Sequence, residues 1–293
     1  MGVLLIVNPF SSNVTEPRLR EIEAVLRPAG TVLTEHPGHA TELAAGAGEV
    51  DAIVVYGGDG SANEALNGLG ADVPIGFLPG GGTNVLARGL GLPREPVAAA
   101  RRLMDAIEQG RTRRISVGRV NGRRFGFSAG LGLDAELVRT VDRLGRAADG
   151  RRPGDLAYLR AATALVARRR ARFEPALELD GFGPAAFVLV ANADPYTYAG
   201  PVPVHVAPEA RFELGLDVVA PEEVGPLAVP RLLRYILRGR GQARDAGIHY
   251  GHDLDRIEAT CDRALPLQAD GEDLGDVRKA VFEAERGAVS VLV

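Results

Sequence analysis

The chain has one cysteine, Cys261, and no tryptophan. A lone cysteine excludes an internal disulfide framework and a cysteine-only zinc site, and it fits a reducing compartment. Lysine is almost missing: Lys279 stands alone among 34 basic residues, so the other 33 are arginine. The formal net charge is −4, which excludes a general nucleic-acid binder. No apolar run approaches the ~18 residues that a spanning helix needs. Residues Met1 to Val7 lack a basic n-region and are broken at once by Asn8-Pro9, so they do not read as a signal peptide. Ile6 spoils a myristoylation pattern.

What the chain does have is apolar content and glycine. Hydrophobic residues make up 46% and charged residues 25% of 293 residues, an ordinary globular composition with length enough for two domains. Glycine supplies 37 residues against a usual share of about 7%. Eleven of the 37 fall between Gly57 and Gly91, so the surplus is local.

The first third alternates. Val3–Val7, Thr31–Glu35, Asp51–Tyr56 and Pro74–Leu78 read as short buried strands. Helices read from Thr15 to about Arg27, over Thr41–Ala47, from Ser61 and from about Asn84, the first with Thr15 as its cap and Pro17 in its first turn. Such alternation implies a parallel sheet with helices on its faces. After about residue 112 the pattern changes to strands: Arg114–Val120, Arg123–Ser128, Ala176–Leu179, Ala185–Ala191, Phe212–Val219, Arg256–Thr260 and Val289–Val293. Asn121-Gly122 signals a hairpin. Helices Leu156–Arg170 and about Pro230–Leu237 interrupt. The expected fold is an α/β domain over residues 1–112, then a mostly antiparallel β-sandwich over 113–293 whose last strand packs back toward the first domain.

Two glycine loops stand out. Gly57-Gly58-Asp59-Gly60-Ser61 follows a strand and opens a helix, and Gly80-Gly81-Gly82-Thr83-Asn84 does the same. Glycine lets backbone N–H groups approach an anion, and a helix N-terminus adds a positive partial charge. From its own spacing the first loop serves equally as a phosphate cradle or as a plain turn, with Ser61 and Glu64 forming a capping box. It is neither a Walker A loop nor a dinucleotide fingerprint. Two such loops at the carboxyl ends of neighbouring parallel strands would face one crevice, and Asn8-Pro9-Phe10-Ser11-Ser12 supplies a third wall.

At this point the motifs resemble the diacylglycerol and sphingosine lipid kinases. Gly57-Gly58-Asp59-Gly60-Ser61 with Asn63-Glu64 and Asn67-Gly68-Leu69 is similar to that family's signature. Pro79 through Asn84, then Ala87-Arg88 and Leu90-Gly91-Leu92-Pro93, matches its second motif, Val7-Asn8-Pro9 its opening, and Asp270-Gly271-Glu272 its late acidic motif. Four motifs in order cover almost the whole chain and point to the soluble bacterial branch. The resemblance implies a nucleotide-binding domain, a lipid-binding β-sandwich and an active site between them. It implies ATP and Mg²⁺ as cofactors. Nucleotide contacts would come from Asn8, Pro9, Phe10, Ser11 and Ser12, from Thr41, from Gly58, Asp59, Gly60, Ser61, Ala62, Asn63 and Glu64, and from Gly81, Gly82, Thr83 and Asn84. Glu272 would take the proton from a lipid hydroxyl, Asp270 would join it as a catalytic acid group, and Asp59 would organise magnesium and phosphates. The resemblance also implies a cytoplasmic protein working at the inner membrane surface on a lipid substrate, without nucleic acid, and leaves a homodimer open.

Departures are visible. Ser61 stands where the family usually has threonine, and Val85 where many members have aspartate. Ser12-Asn13 replace a small glycine-containing turn. Arg211, Leu214 and Leu216 align with a structural magnesium loop, but Leu214 replaces the aspartate there, which argues against a metal; Glu213 would substitute only with a shift.

Other signals compete. Gly126-Phe127-Ser128-Ala129-Gly130 fits a nucleophile elbow, which would need an acid and one of His205, His249 or His252. The plainer reading is a glycine-flanked strand end. His249-x-x-His252-Asp253 looks like a metal pair but reads better as a turn. Arg231, Arg234 and Arg238 alternate with Leu232, Leu233, Ile236 and Leu237, giving a helix that covers the sandwich or lies against anionic headgroups. Arg168-Arg169-Arg170 meets a helix macrodipole. The chain therefore reads as an ATP-dependent lipid kinase acting on a diacylglycerol-like hydroxyl. The alternatives are an NAD kinase, a binding relative without turnover, and a serine hydrolase using Ser128.

Overall fold

The computed structural model describes residues 2–70, 73–145 and 155–293; the side chains of 155–159 are not described. The described residues fall into two compact units, one made of 2–116 with 287–293 and the other of 117–145 with 155–286.

The first unit contains β1 (Val3–Val7), α1 (Glu16–Leu26), β2 (Gly30–Leu33), α2 (His39–Ala45), β3 (Ala52–Gly57), α3 (Asp59–Gly68), β4 (Ile75–Pro79), α4 (Val85–Gly89), α5 (Pro96–Glu108) and the start of β5 (Thr112–Val120). Strands β1, β3 and β4 are apolar runs buried on both faces, as strands flanked by helices must be. They pair in parallel in the order β2-β1-β3-β4, with Val7 opposite Tyr56 and Val55 opposite Phe77. The end of the chain joins β4 in parallel at Val291 opposite Ile75. Helix α5 has no counterpart in the sequence reading. Pro96 opens it, the Glu95 carboxylate accepts from the amides of Val97 and Ala98, and Val97, Ala100 and Leu103 line its buried face.

The second unit continues with β6 (Arg123–Phe125), β7 (Ser128–Leu131), α6 (Leu133–Asp142), α7 (Asp155–Arg168), β8 (Leu177–Leu179), β9 (Gly183–Ala185), β10 (Val188–Ala191), β11 (Thr197–Ala199), β12 (Val202–Val204), β13 (Leu216–Pro221), α8 (Val229–Arg238), β14 (Ile248–Leu254), β15 (Arg256–Ala269) and β16 (Glu272–Leu292). Pairing is antiparallel in the order β14-β13-β10-β7-β15-β16, with β8 on β15 and β9 on β8. Asn121 and Gly122 both take positive φ and close the β5–β6 hairpin, as their sequence signals. A core of Phe125, Leu131, Val190, Val218, Leu267 and Phe282 fills this unit.

Several boundaries differ from the sequence reading. The expected strand Arg123–Ser128 is two strands, because the amides of residues 126–128 turn away to a carboxylate described below. Strands expected over Arg256–Thr260 and Val289–Val293 are long ribbons, β15 and β16. Charges interrupt their apolar pattern, yet those charges are paired across the ribbon: Arg256 meets Glu283 at 2.7 Å, and Lys279 meets Glu258. The segment His249–Asp253, expected as a turn, lies in β14. Helix α3 starts at Asp59 with Gly58 as its cap, so Ser61 lies inside the helix and forms no capping box with Glu64.

Helices α2 and α3 touch at a point that admits no side chain. A Cβ on Gly68 would lie 2.0 Å from the Thr41 carbonyl oxygen. Gly68→Ala is expected to cost about 3 kcal/mol in urea unfolding, since the obstacle is backbone. In the second unit, Arg139 on α6 holds Asp273 through two bonds of 2.7 and 2.8 Å, and this pairing keeps the Asp273 carboxyl below the usual carboxylate range. A lowered folded pKa contributes stability above the unfolded value, lost as the pH falls through the folded one. Arg139→Ala should therefore cost about 1 kcal/mol at neutral pH. Urea titrations at falling pH should show the gap closing as Asp273 protonates.

Candidate active site

Three loops meet at the carboxyl ends of β1, β3 and β4. Their glycines serve first to bring backbone against backbone. A Cβ on Gly80 would sit 2.9 Å from the Gly57 Cα, and one on Gly81 would sit 2.7 Å from the Gly58 Cα. The Gly80 amide donates to the Gly57 carbonyl at 2.7 Å. Asparagines stitch the third loop to these two. Asn8 Nδ2 donates to Ser61 Oγ at 2.8 Å, and Asn13 Nδ2 donates to the Gly81 carbonyl at 2.6 Å. Asn84 closes its own loop: its Oδ1 accepts from the Gly81 amide at 2.8 Å and its Nδ2 donates to the Gly81 carbonyl at 2.7 Å.

The expected nucleotide residues divide by where they point. Ser61, Ala62 and Asn63 are buried, Ser61 held by Asn8 and Asn63 facing Asn67. Glu64 and Thr41 bond to each other's helices: Glu64 Oε2 accepts from the Ala40 amide at 3.3 Å, and Thr41 Oγ1 donates to the Glu64 carbonyl at 2.8 Å. Pro9, Phe10 and Gly82 are exposed, while Ser11, Ser12, Gly58, Asp59, Gly60, Gly81 and Thr83 are half-buried. Gly82 has nothing within 4 Å of a built Cβ and no positive φ, so neither packing nor backbone strain accounts for glycine there. Asp59 Oδ1 accepts from the Leu86 amide at 3.2 Å, which ties the first glycine loop to α4. Val85 is buried and brings no acidic group. A phosphate group fits this lining: half-buried glycines, two helix N-termini and a hydroxyl at Thr83. For a magnesium ion carried with it, Asp59 is the carboxylate at hand.

The second unit holds the late acidic motif. Asp270 and Gly271 both have positive φ and form a two-residue turn between β15 and β16, closed by Ala269 opposite Glu272. Asp270 is 4% exposed. Its carboxylate accepts from the amides of Gly126, Phe127 and Ser128 at 2.6, 3.0 and 3.1 Å. Glu272 is partly exposed, and its Oε2 accepts from Arg123 at 2.7 Å. Arg123 was not singled out in the sequence. The signal was there in the Asn121-Gly122 turn, which fixes the residue that begins β6.

The competing sites do not assemble. Ser128 is buried on an antiparallel strand, and the three histidines are used elsewhere. His205 Nδ1 meets Asp194 at 2.7 Å, His249 Nε2 meets the Pro184 carbonyl at 3.0 Å, and His252 Nδ1 meets Asp217 at 2.8 Å. The loop of Arg211, Leu214 and Leu216 does not fit a metal. Leu214 offers no carboxylate, and the Arg211 guanidinium already donates to the carbonyls of Pro208 and Ala210. Neighbouring Asp217 is fully buried, and burial raises its carboxyl pKa against the bonds from the Asp253 amide, His252 and Tyr250.

Comparison with known proteins places these motifs. The family model for the diacylglycerol kinase catalytic domain matches residues 2–120, and that for the YegS C-terminal NAD kinase beta sandwich-like domain matches residues 128–293. A diacylglycerol kinase of Bacillus subtilis is 36% identical over 147 residues, 47% of this chain and 48% of that protein. One of Mycobacterium tuberculosis is 40% identical over 101 residues, 32% of this chain and 31% of that protein. The aligned part thus spans half or less of these curated relatives' length. A crystal structure of a diacylglycerol kinase from Bacillus anthracis shares the fold at TM-score 0.72 and 21% identity, over 99% of this chain and 96% of that one. An NAD kinase of Archaeoglobus fulgidus in complex with ATP is more distant, at TM-score 0.55 and 16% identity, covering 99% and 93%. Among the described residues no helix is long and apolar enough to cross a membrane. With both domain types matched in order along one chain, this protein belongs to the diacylglycerol kinase-like lipid kinase family.

Proposed function

We propose that the protein transfers the γ-phosphate of ATP to a hydroxyl of a diacylglycerol-like lipid, with Mg²⁺, at the inner membrane surface. The observation that carries this reading is the set of three stitched loops at the carboxyl ends of adjacent parallel strands, where open α/β sheets take their ligands. The ATP phosphates lie against Gly58 to Gly60 and Gly81 to Thr83, where backbone amides and helix N-termini favour negative charge. Magnesium, when bound with ATP, neutralises charge on the transferring phosphoryl group. Glu272 accepts the hydroxyl proton as the new oxygen–phosphorus bond forms and the bond to the leaving ADP breaks. Arg123 fixes the direction of the Glu272 carboxylate through the 2.7 Å bond to its Oε2. Asp270, first expected to be catalytic, has its carboxylate committed to three amides, and its proposed role is to position the turn that carries Glu272.

Two experiments test these roles. Incubation with γ-labelled ATP, Mg²⁺, a lipid panel and NAD should label dioctanoylglycerol and leave NAD unlabelled. Glu272→Gln should lower kcat by about a hundredfold or more, the usual worth of a positioned base. Asp59→Asn should lower transfer too. Transfer surviving both substitutions refutes the site. Labelled NAD favours the NAD kinase reading, and no transfer to any acceptor favours a binding relative. Asp270→Ala strands three amides, all on buried residues, and should cost about 3 kcal/mol in urea unfolding. Asp270→Asn, which retains an acceptor oxygen, should recover part of that loss.

A further inference from the structure

Helix α8 is amphipathic, but its outer face is not simply polar. None of its residues is buried. Its inner side rests on the second unit: Leu232 and Tyr235 pack on a cluster of Ala191, Tyr196, Val206 and Val219. The His205 amide bonds the Ile236 carbonyl at 2.9 Å, which holds α8 beside strand β12. At 3.6 residues per turn, Leu233 and Leu237 form one outward stripe and Arg234 and Arg238 the next. The leucines are 53% and 59% exposed, and both arginines and Arg240 are exposed. On β12 beside them, Val202 is 43% exposed.

Charge sets the direction of this face. Arg231 at the opposite end is taken by Asp245 at 3.0 Å. Glu222 and Glu223 border the groove beside Leu227 and Arg231, so the start of the helix is acidic. The end of the helix is basic and carries the two leucines. An apolar stripe flanked by arginines is what an interfacial helix presents, with apolar side chains below the headgroups and guanidinium groups on phosphates.

We propose that the C-terminal half of α8, through Leu233, Leu237, Arg234, Arg238 and Arg240, docks the protein on an anionic lipid bilayer. The proposal deepens the lipid-kinase reading and rests on it for the presence of a membrane substrate. Charge complementarity selects the bilayer over an acidic protein, because the leucines need a face without hydrogen-bonding demands. Each basic residue near an anionic surface multiplies partition roughly fivefold, and salt removes that gain.

The absence of tryptophan makes a clean test. Leu237→Trp gives a single reporter at the proposed contact. Its emission should shift to the blue with phosphatidylcholine–phosphatidylglycerol vesicles and stay unchanged with phosphatidylcholine alone. Wild-type protein should sediment with the anionic vesicles, and about 0.5 M salt should release it. The double variant Arg234→Gln with Arg238→Gln should lower partition about tenfold or more. Equal binding to both vesicle types, or no change on the double substitution, overturns the proposal. So does a vesicle-independent dimer that Leu233→Ser with Leu237→Ser dissolves, since a second copy would then cover this face. Transfer by wild-type protein to dioctanoylglycerol in detergent micelles, free of any bilayer, separates the two readings. Transfer in micelles without vesicle binding removes the docking face and keeps the kinase. Vesicle binding without transfer does the reverse.

Discussion

The first unit depends on the contact of two glycine loops, Gly57–Gly58 against Gly80–Gly81. A single methyl at Gly80 or Gly81 would collide with a backbone carbon at under 3 Å. This closeness lets the Gly80 amide reach the Gly57 carbonyl and lets Asn13 span to both Gly80 and Gly81. The three loop tips are thereby held by main chain and amide side chains. No long flexible side chain is needed to shape them, so little conformational entropy is lost when an anion arrives. Gly82 lies outside this packing logic, and it is exposed.

The second unit solves a similar problem with a carboxylate. Three amides at 126–128 point away from the sheet, between β6 and β7, and would be costly to bury without acceptors. Asp270 supplies them, and by doing so links the β6–β7 corner to the turn before Glu272. Several acidic groups that chemistry would nominate for catalysis are used for architecture in this chain. Asp59 bonds an amide of α4, Glu64 an amide of α2, and Asp217 a histidine and a tyrosine. Glu272 differs in that its carboxylate meets a guanidinium, that of Arg123 at 2.7 Å.

Much of this was legible in the sequence for a plain reason. Short apolar runs ended by turn residues mark strands, and β1, β3 and β4 appear within a residue or two of where they were expected. The order of motifs carried the family. Helix α5 went unread because no glycine or motif marks it, although Glu95-Pro96 is a start signal. Strands β15 and β16 were read short because their charged residues neutralise one another across the ribbon, a pairing no single-strand pattern reveals. The glycines were legible as a loop signal but not in their main use. Spacing suggested room for phosphate, while Gly57, Gly58, Gly80 and Gly81 serve close contact within and between the loops and Gly82 stands open.

The loop at Arg211–Leu216 carries that lesson further. Leu214 offers no carboxylate to a metal, and the cations beside it are side chains. The Arg211 guanidinium bonds two carbonyls of its own loop, and Arg286 bonds the carboxylates of Asp253 and Asp255. The Asp253 carboxylate in turn accepts the Gly215 amide at 2.7 Å. An arginine-rich chain with a single lysine has many rigid, always-charged donors with which to hold such loops. The loop is therefore held without a carboxylate at 214, because neighbouring guanidinium groups already bind carbonyls and carboxylates around it.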